Sequence, residues 1–171
     1  MGYATTRAQH LVLHSVPAIR GCLRVRNPIL TMFFYALLLL LDGTGLLRMG
    51  LLCALLHEMG HVLAFWGMLR RFPVLEVSVF GICLSMREVC LAPQKECVLA
   101  LAGPAMNLLL CIGTLLGMRW AWGYSYVGCW FAATNLLVGG FNLLPLPGLD
   151  GTQAVQSFGR WAQYKLHFEG G

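Results

Sequence analysis

His57-Glu58-Met59-Gly60-His61 stands inside a stretch apolar enough to sit in lipid, and this placement limits what the chain can fold into. Leu51-Leu52-Cys53-Ala54-Leu55-Leu56 precedes the motif, and Val62-Leu63-Ala64-Phe65-Trp66 follows it. Residues four apart on a helix share a face, so both imidazoles can reach a single zinc ion. The glutamate between them can then take a proton from a water that the metal activates. In a soluble zinc enzyme such a helix is amphipathic; here its flanks are apolar. Three ionisable groups in that setting are costly to bury, and they default to a functional role. The remaining question is whether the rest of the chain can complete a metal site within a bilayer.

Composition points the same way. Of 171 residues, 58% are hydrophobic and 11% charged, whereas a soluble domain carries about a quarter charged residues. The length suits one compact domain. The net charge of +5 matters less than its placement. Arg7, Arg20, Arg24 and Arg26 precede the first apolar run, and Arg70, Arg71, Arg87 and Lys95 fall between the second and third. This is loop bias of the positive-inside kind and not a nucleic-acid surface. A signal peptide is rejected, because the first apolar run has no small-residue cleavage site and further spans follow. The seven cysteines (22, 53, 83, 90, 97, 111 and 129) form no C-x-x-C pair and read as free, buried small hydrophobes. Cys53, one turn before His57, is the only one beside the motif.

The chain divides into a basic N-terminal segment (1–27), a transmembrane core (28–151) and an amphipathic C-terminal tail (152–171). The first segment suits a surface-lying helix interrupted at Pro17. Apolar runs over Ile29–Leu41, about Leu46–Met68, about Cys97–Met118 and about Tyr124–Leu144 predict four transmembrane helices. The Asp42-Gly43-Thr44-Gly45 turn joins the first two as a hairpin. Between Val74 and Met86 the period changes to alternation with β-branched residues, predicting two short strands broken at Gly81. The expected fold class is thus a mostly α membrane protein, with a small membrane-associated β-hairpin or sheet between the second and third spans.

The charge bias sets the orientation: a multi-pass integral membrane protein with its N-terminus on the cytoplasmic side. His57 and His61 then lie toward the cytoplasmic end of span two, and span four returns Asp150 to the same side. A catalytic zinc needs a third protein ligand and an open position. Asp150 is the candidate, following Pro145, Pro147 and Gly148, which break the helix and free the backbone to aim a carboxylate inward. Asn142, eight residues earlier, could donate to a substrate carbonyl or to the oxyanion formed on attack. Asn135 reads as interhelical hydrogen bonding. In span three Gly103 permits close helix approach, Pro104 interrupts the helix, and Asn107 can bond across to span two; these serve packing or support of the ligands.

Three segments together resemble the site-2 protease family of intramembrane zinc metalloproteases. They are His57-Glu58-Met59-Gly60-His61, Ala102-Gly103-Pro104-Ala105-Met106-Asn107 and Asn142-Leu143-Leu144-Pro145-Leu146-Pro147-Gly148-Leu149-Asp150-Gly151, and the likeness covers roughly residues 45–151. It implies one zinc per chain held by His57, His61 and Asp150, with Glu58 as general base and Asn142 contacting substrate or intermediate. It also implies a membrane-anchored protein substrate, hydrolysed within the bilayer, that pairs with the edge of the small sheet. A regulatory membrane partner and a bacterial cytoplasmic membrane fit the same resemblance. Brevity, and the lack of an inserted PDZ-like segment, are similar to the branch of stage IV sporulation factor FB. That branch often carries a CBS domain, which these residues do not contain, and Thr152 stands where a second glycine is common. The competing reading is a non-proteolytic membrane protein that binds polypeptides or handles metal. An intact Glu58 and the scarcity of further ionisable residues in the spans argue against it.

Overall fold

The structure, a computed structural model, describes residues 23–25, 27–70, 73–78, 81–85 and 91–169. The expected surface helix over the first residues, and Arg87 and Cys90, lie outside them.

Helices dominate: α1 (Pro28–Leu41), α2 (Leu46–Leu69), α3 (Pro93–Gly117), α4 (Tyr126–Asn142) and α5 (Asp150–Glu169). Each boundary has a local cause. Pro28 and Pro93 open α1 and α3 at positions where a missing N–H costs nothing. Gly45 adopts φ +77° at the turn into α2. There the Asp42 carboxylate accepts the backbone N–H of Arg48 at 3.0 Å, which satisfies one of the helix's orphan donors. At the other end of α2, Arg70 closes the helix with its N–H bonded to Trp66 O, and its guanidinium lies 5.3 Å from the Trp66 ring. A π-helical turn, Met118–Trp122, extends α3. The Ser125 hydroxyl caps α4 by accepting from Gly128 N.

Three short strands, β1 (Leu23–Val25), β2 (Val74–Ser78) and β3 (Gly81–Ser85), form a sheet in the order β1-β2-β3. β2 and β3 are antiparallel, with Val74 opposite Ser85. β1 comes from the segment before α1 and runs parallel to β2, pairing Leu23 with Leu75.

This architecture corrects the expected fold class. Among the described residues only Leu46–Leu69 and Pro93–Ala121 are long and apolar enough to cross a membrane, two helices and not four. α1 has 14 residues and α4 has 17. At about 1.5 Å per residue these fall short of the ~30 Å hydrocarbon thickness. The polar and small residues Asn135, Gly139, Gly140 and Asn142 also dilute the apolar run of α4. Nor is the sheet confined to the segment between α2 and α3. The sheet has a third strand recruited from before α1, a partner too short and too distant for alternation in the sequence to reveal.

α3 is the centre of the bundle and packs against α2, α4 and α5. Leu99, Ala100, Gly103, Pro104, Asn107 and Cys111 form its buried face. Facing residues include Cys53 and Phe65 on α2 and Ala132 on α4. Outward, large apolar side chains stay uncovered: Ile29 is 85% exposed, Leu40 83% and Leu137 73%. Exposed Trp120, Tyr124 and Tyr126 gather at the α3–α4 turn. An apolar coat with aromatics at its edge is what a bilayer covers. Cys53 and Cys111 are buried as expected, whereas Cys129 is exposed.

Candidate metal centre

Ligand geometry begins with α2. His57 and His61, one turn apart, are both buried, at 4% and 7% exposure. Their Nε2 atoms lie 3.2 Å apart, with the rings edge to face. Asp150, the first residue of α5, brings Oδ2 to 2.8 Å from His57 Nε2 and 3.2 Å from His61 Nε2. The three ligand atoms lie within 4.8 Å of one another. Burial alone would raise the Asp150 carboxyl, but hydrogen bonds from His57 and His61 outweigh it and hold it at about 2. The carboxylate is therefore ionised at neutral pH, as a metal ligand must be. It starts a helix, where the macrodipole also favours negative charge.

The imidazoles are held from behind by α3. His61 Nδ1 lies 2.8 Å from the Leu99 carbonyl, which can only accept. Nδ1 therefore keeps a proton, and the Nε2–H that donates to Asp150 is the one a metal ion would displace, leaving the Nε2 lone pair to the ion. His57 Nδ1 lies 3.3 Å from the Asn107 carboxamide, fully buried, whose Oδ1 has no hydrogen-bond partner. Turning that amide so that Oδ1 accepts from His57 Nδ1–H satisfies the orphan oxygen and frees His57 Nε2 in the same step. Two imidazole nitrogens and one carboxylate oxygen, supported in this way, fit a divalent zinc-type ion with an open position.

Glycines make the space. A Cβ at Gly103 would meet His61 Nε2, and would lie 2.6 Å from His57 Nε2. Pro104, next in α3, lacks the N–H that would bond the Ala100 carbonyl, which loosens the turn beside the imidazoles. Gly60 lets α2 approach α3: a Cβ there would be 2.7 Å from the Ala102 carbonyl. Gly151 abuts the Leu143 backbone so closely that no Cβ fits.

The other candidates are not part of the ligand trio. Glu58 is half-buried on α2 and feels the charges of His61, His57 and Asp150, but makes no hydrogen bond among the described residues. Asn142 ends α4 and donates to Val138 O at 2.9 Å, so it is not turned into the ligand cluster. Asn135 bonds Phe131 O within its own helix, not across helices. The contacts that sequence reading missed are the Leu99 carbonyl, which no side-chain pattern encodes, and Glu96, Ser157 and Arg160, which join α3 to α5. Only the amphipathic spacing in the tail hinted at the last.

No protein-family model matches the chain. It is 34% identical over 126 residues to a Mycobacterium tuberculosis protein named as the zinc metalloprotease Rip3, covering 68% of this chain and 31% of that protein. It is 29% identical over 137 residues to one named Rip2 from Mycolicibacterium smegmatis, covering 59% of this chain and 52% of that one. A Synechocystis protein, also named a zinc metalloprotease, is 30% identical over 120 residues, covering 64% of this chain. The chain thus spans about a third of the length of the Rip3 relative (31%). Among solved structures, the site-2 protease from Methanocaldococcus jannaschii superposes with a TM-score of 0.60 at 20% identity, covering 84% of this chain and 69% of that one, a likeness of fold. The chain is thus similar in sequence to proteins named zinc metalloproteases and in fold to a site-2 protease, and it gathers His57, His61 and Asp150 into a cluster that could hold a metal ion.

Proposed function

We propose that this protein is an intramembrane zinc metalloprotease that hydrolyses a peptide bond of a membrane-tethered protein. One observation carries the reading: His57 Nε2, His61 Nε2 and Asp150 Oδ2 converge within 4.8 Å inside a bundle with an apolar coat. A zinc ion held by these three would polarise the scissile carbonyl and make a water acidic at neutral pH. Glu58, one residue from His57 and not engaged in a hydrogen bond among the described residues, would take the proton from the attacking water as its oxygen bonds to the scissile carbon, and give it to the amine as the C–N bond breaks. Asn142 lies at the helix end eight residues before Asp150. On exchanging Val138 O for substrate, its amide donates to the scissile carbonyl as negative charge develops there. Gly103, Pro104 and Asn107 shape and steady the imidazoles. The protein is multi-pass in this reading, with the N-terminus and the site toward the cytoplasmic side, as the arginine bias supports.

The test uses Glu58→Gln in detergent or liposomes with a single-span substrate. Metal content should equal wild type while cleavage is lost; cleavage by the variant overturns the mechanism.

A further inference from the structure

Outside the ligand cluster, one polar contact ties distant parts of the bundle together. Glu96, in the first turn of α3, accepts a hydrogen bond from Arg160 at 2.5 Å and another from the Ser157 hydroxyl at 3.3 Å. Arg160 also donates to Ser157 at 3.2 Å, which closes a three-way cluster. Ser157 is 2% exposed, while the side chains of Glu96 and Arg160 are 28% and 57% exposed. A pair exposed to this degree adds little to stability.

Its place on the two helices suggests another purpose. Ser157 follows Asp150 by seven residues, almost two full turns, so both lie on one side of α5 about 10 Å apart along its axis. The side of α5 that presents Asp150 to the imidazoles is therefore the side that presents Ser157 to Glu96. On α3, Glu96 belongs to the same row as Leu99, Gly103 and Asn107, spaced at three and four residues. That row already sets His61 through the Leu99 carbonyl and His57 through Asn107. The other polar and close contacts at the start of α5 are local: Thr152 to the Leu146 carbonyl, and Gly151 against Leu143. These shape the turn before α5, whereas its packing on α3 and the Glu96 cluster set how it sits against α3.

The geometry points to Glu96 and Arg160, with Ser157, as a positioning clamp that sets the roll of α5 and thereby the reach of Asp150 to the metal. The assignment rests on the metal-site reading above. A small roll of α5 is enough to move the carboxylate out of reach of a metal. A roll of about 20° carries a carboxylate ~6 Å from the helix axis by about 2 Å. Metal–ligand distances tolerate only about 0.2 Å. One helix face thus governs all three ligands, two directly and the third through the clamp.

The experiment measures cobalt(II) binding to the full chain in detergent, by affinity and visible absorption, alongside the thermal midpoint. Glu96→Gln and Arg160→Gln should each weaken cobalt binding about tenfold or more and alter the absorption bands, at nearly unchanged midpoint. The reversed pair, Glu96→Arg with Arg160→Glu, should recover both affinity and bands. Single variants with wild-type spectra and affinities within about twofold overturn the clamp. So does an affinity loss that tracks a fall in midpoint and is not recovered by the reversed pair. If wild type binds no cobalt, or His57→Ala binds it as well as wild type, the metal-site reading fails and the clamp fails with it.

Discussion

Gly103 faces His57 across the α2–α3 interface with no space between them for a methyl group: a Cβ at Gly103 would lie 2.6 Å from His57 Nε2 and 2.7 Å from His57 Cε1. Both imidazoles point their Nε2 atoms at this one residue before they meet Asp150. The absence of a side chain on α3 is thus what lets two buried rings turn toward α5 rather than away from it. The glycine's value here is space, since its backbone is ordinary helix.

Replacing that glycine should therefore remove the metal before it removes the fold. Gly103→Ala must push His57 and His61 off their positions, while alanine itself favours the helix by up to about 1 kcal/mol. The expected outcome is loss of zinc by elemental analysis with helix content by circular dichroism unchanged. Wild-type zinc content in this variant would contradict the packing of the rings against α3.

Asn107 offers a test of ligand orientation. If its carboxamide oxygen accepts from His57 Nδ1–H, Asn107→Asp keeps the acceptor and holds zinc at least as well as wild type. Asn107→Leu removes the acceptor from a fully buried position and should lower zinc affinity about 10- to 100-fold. Competition with a chelator of known affinity measures both. Equal affinities for the Leu and Asp variants would mean that Asn107 only fills space.

How much of this was legible in the sequence follows from the range of each contact. His57 and His61 face one way because four residues make a helical turn, a local fact. Asp150 could be brought to their depth because it follows the last apolar run, although the loop and helix that carry it are not local to them. Neither the Leu99 carbonyl nor the Glu96–Arg160 pair could be read: one is backbone, the other joins residues 64 apart. The count of spans failed at α4, where Asn135 and Gly139 face inward and shorten the apolar run that a sliding reading extends over Tyr124–Leu144. The third strand was missed for a different reason: Leu23–Val25 is three residues long and pairs with a strand some fifty residues on, beyond any periodicity.

Gly60 supports the same interface from the opposite helix. A Cβ there would lie 2.7 Å from the Ala102 carbonyl and 2.8 Å from Met106 Cβ, and backbone cannot step aside. Gly60→Ala should force α2 and α3 apart and cost on the order of 1–3 kcal/mol, read as a lower thermal midpoint in detergent. Gly67→Ala, with nothing within 4 Å, is the matched control and should leave the midpoint unchanged or slightly raised. Similar midpoints for the two variants would contradict the tight approach at Gly60.

Acid should weaken the α1–α2 turn through Asp42. Burial opposes the charge on this carboxyl, yet the backbone N–H groups of Arg48, Leu47 and Gly45 and the Thr44 hydroxyl stabilise it, and its pKa lies below the ordinary 3.8. A group depressed on folding contributes stability that is complete above its unfolded value and is lost as pH falls through its folded one. Asp42→Asn removes that contribution while keeping one acceptor oxygen for the α2 N-terminus. The variant should melt below wild type near neutral pH, and the gap should narrow as pH drops below about 3.8. Asp150, held at about 2, titrates in a neighbouring window, but it is present in both proteins and cancels in the comparison. Thermal midpoints of the two proteins across that range measure the effect. A gap that stays constant with pH would show that Asp42 holds the turn by shape and not by charge.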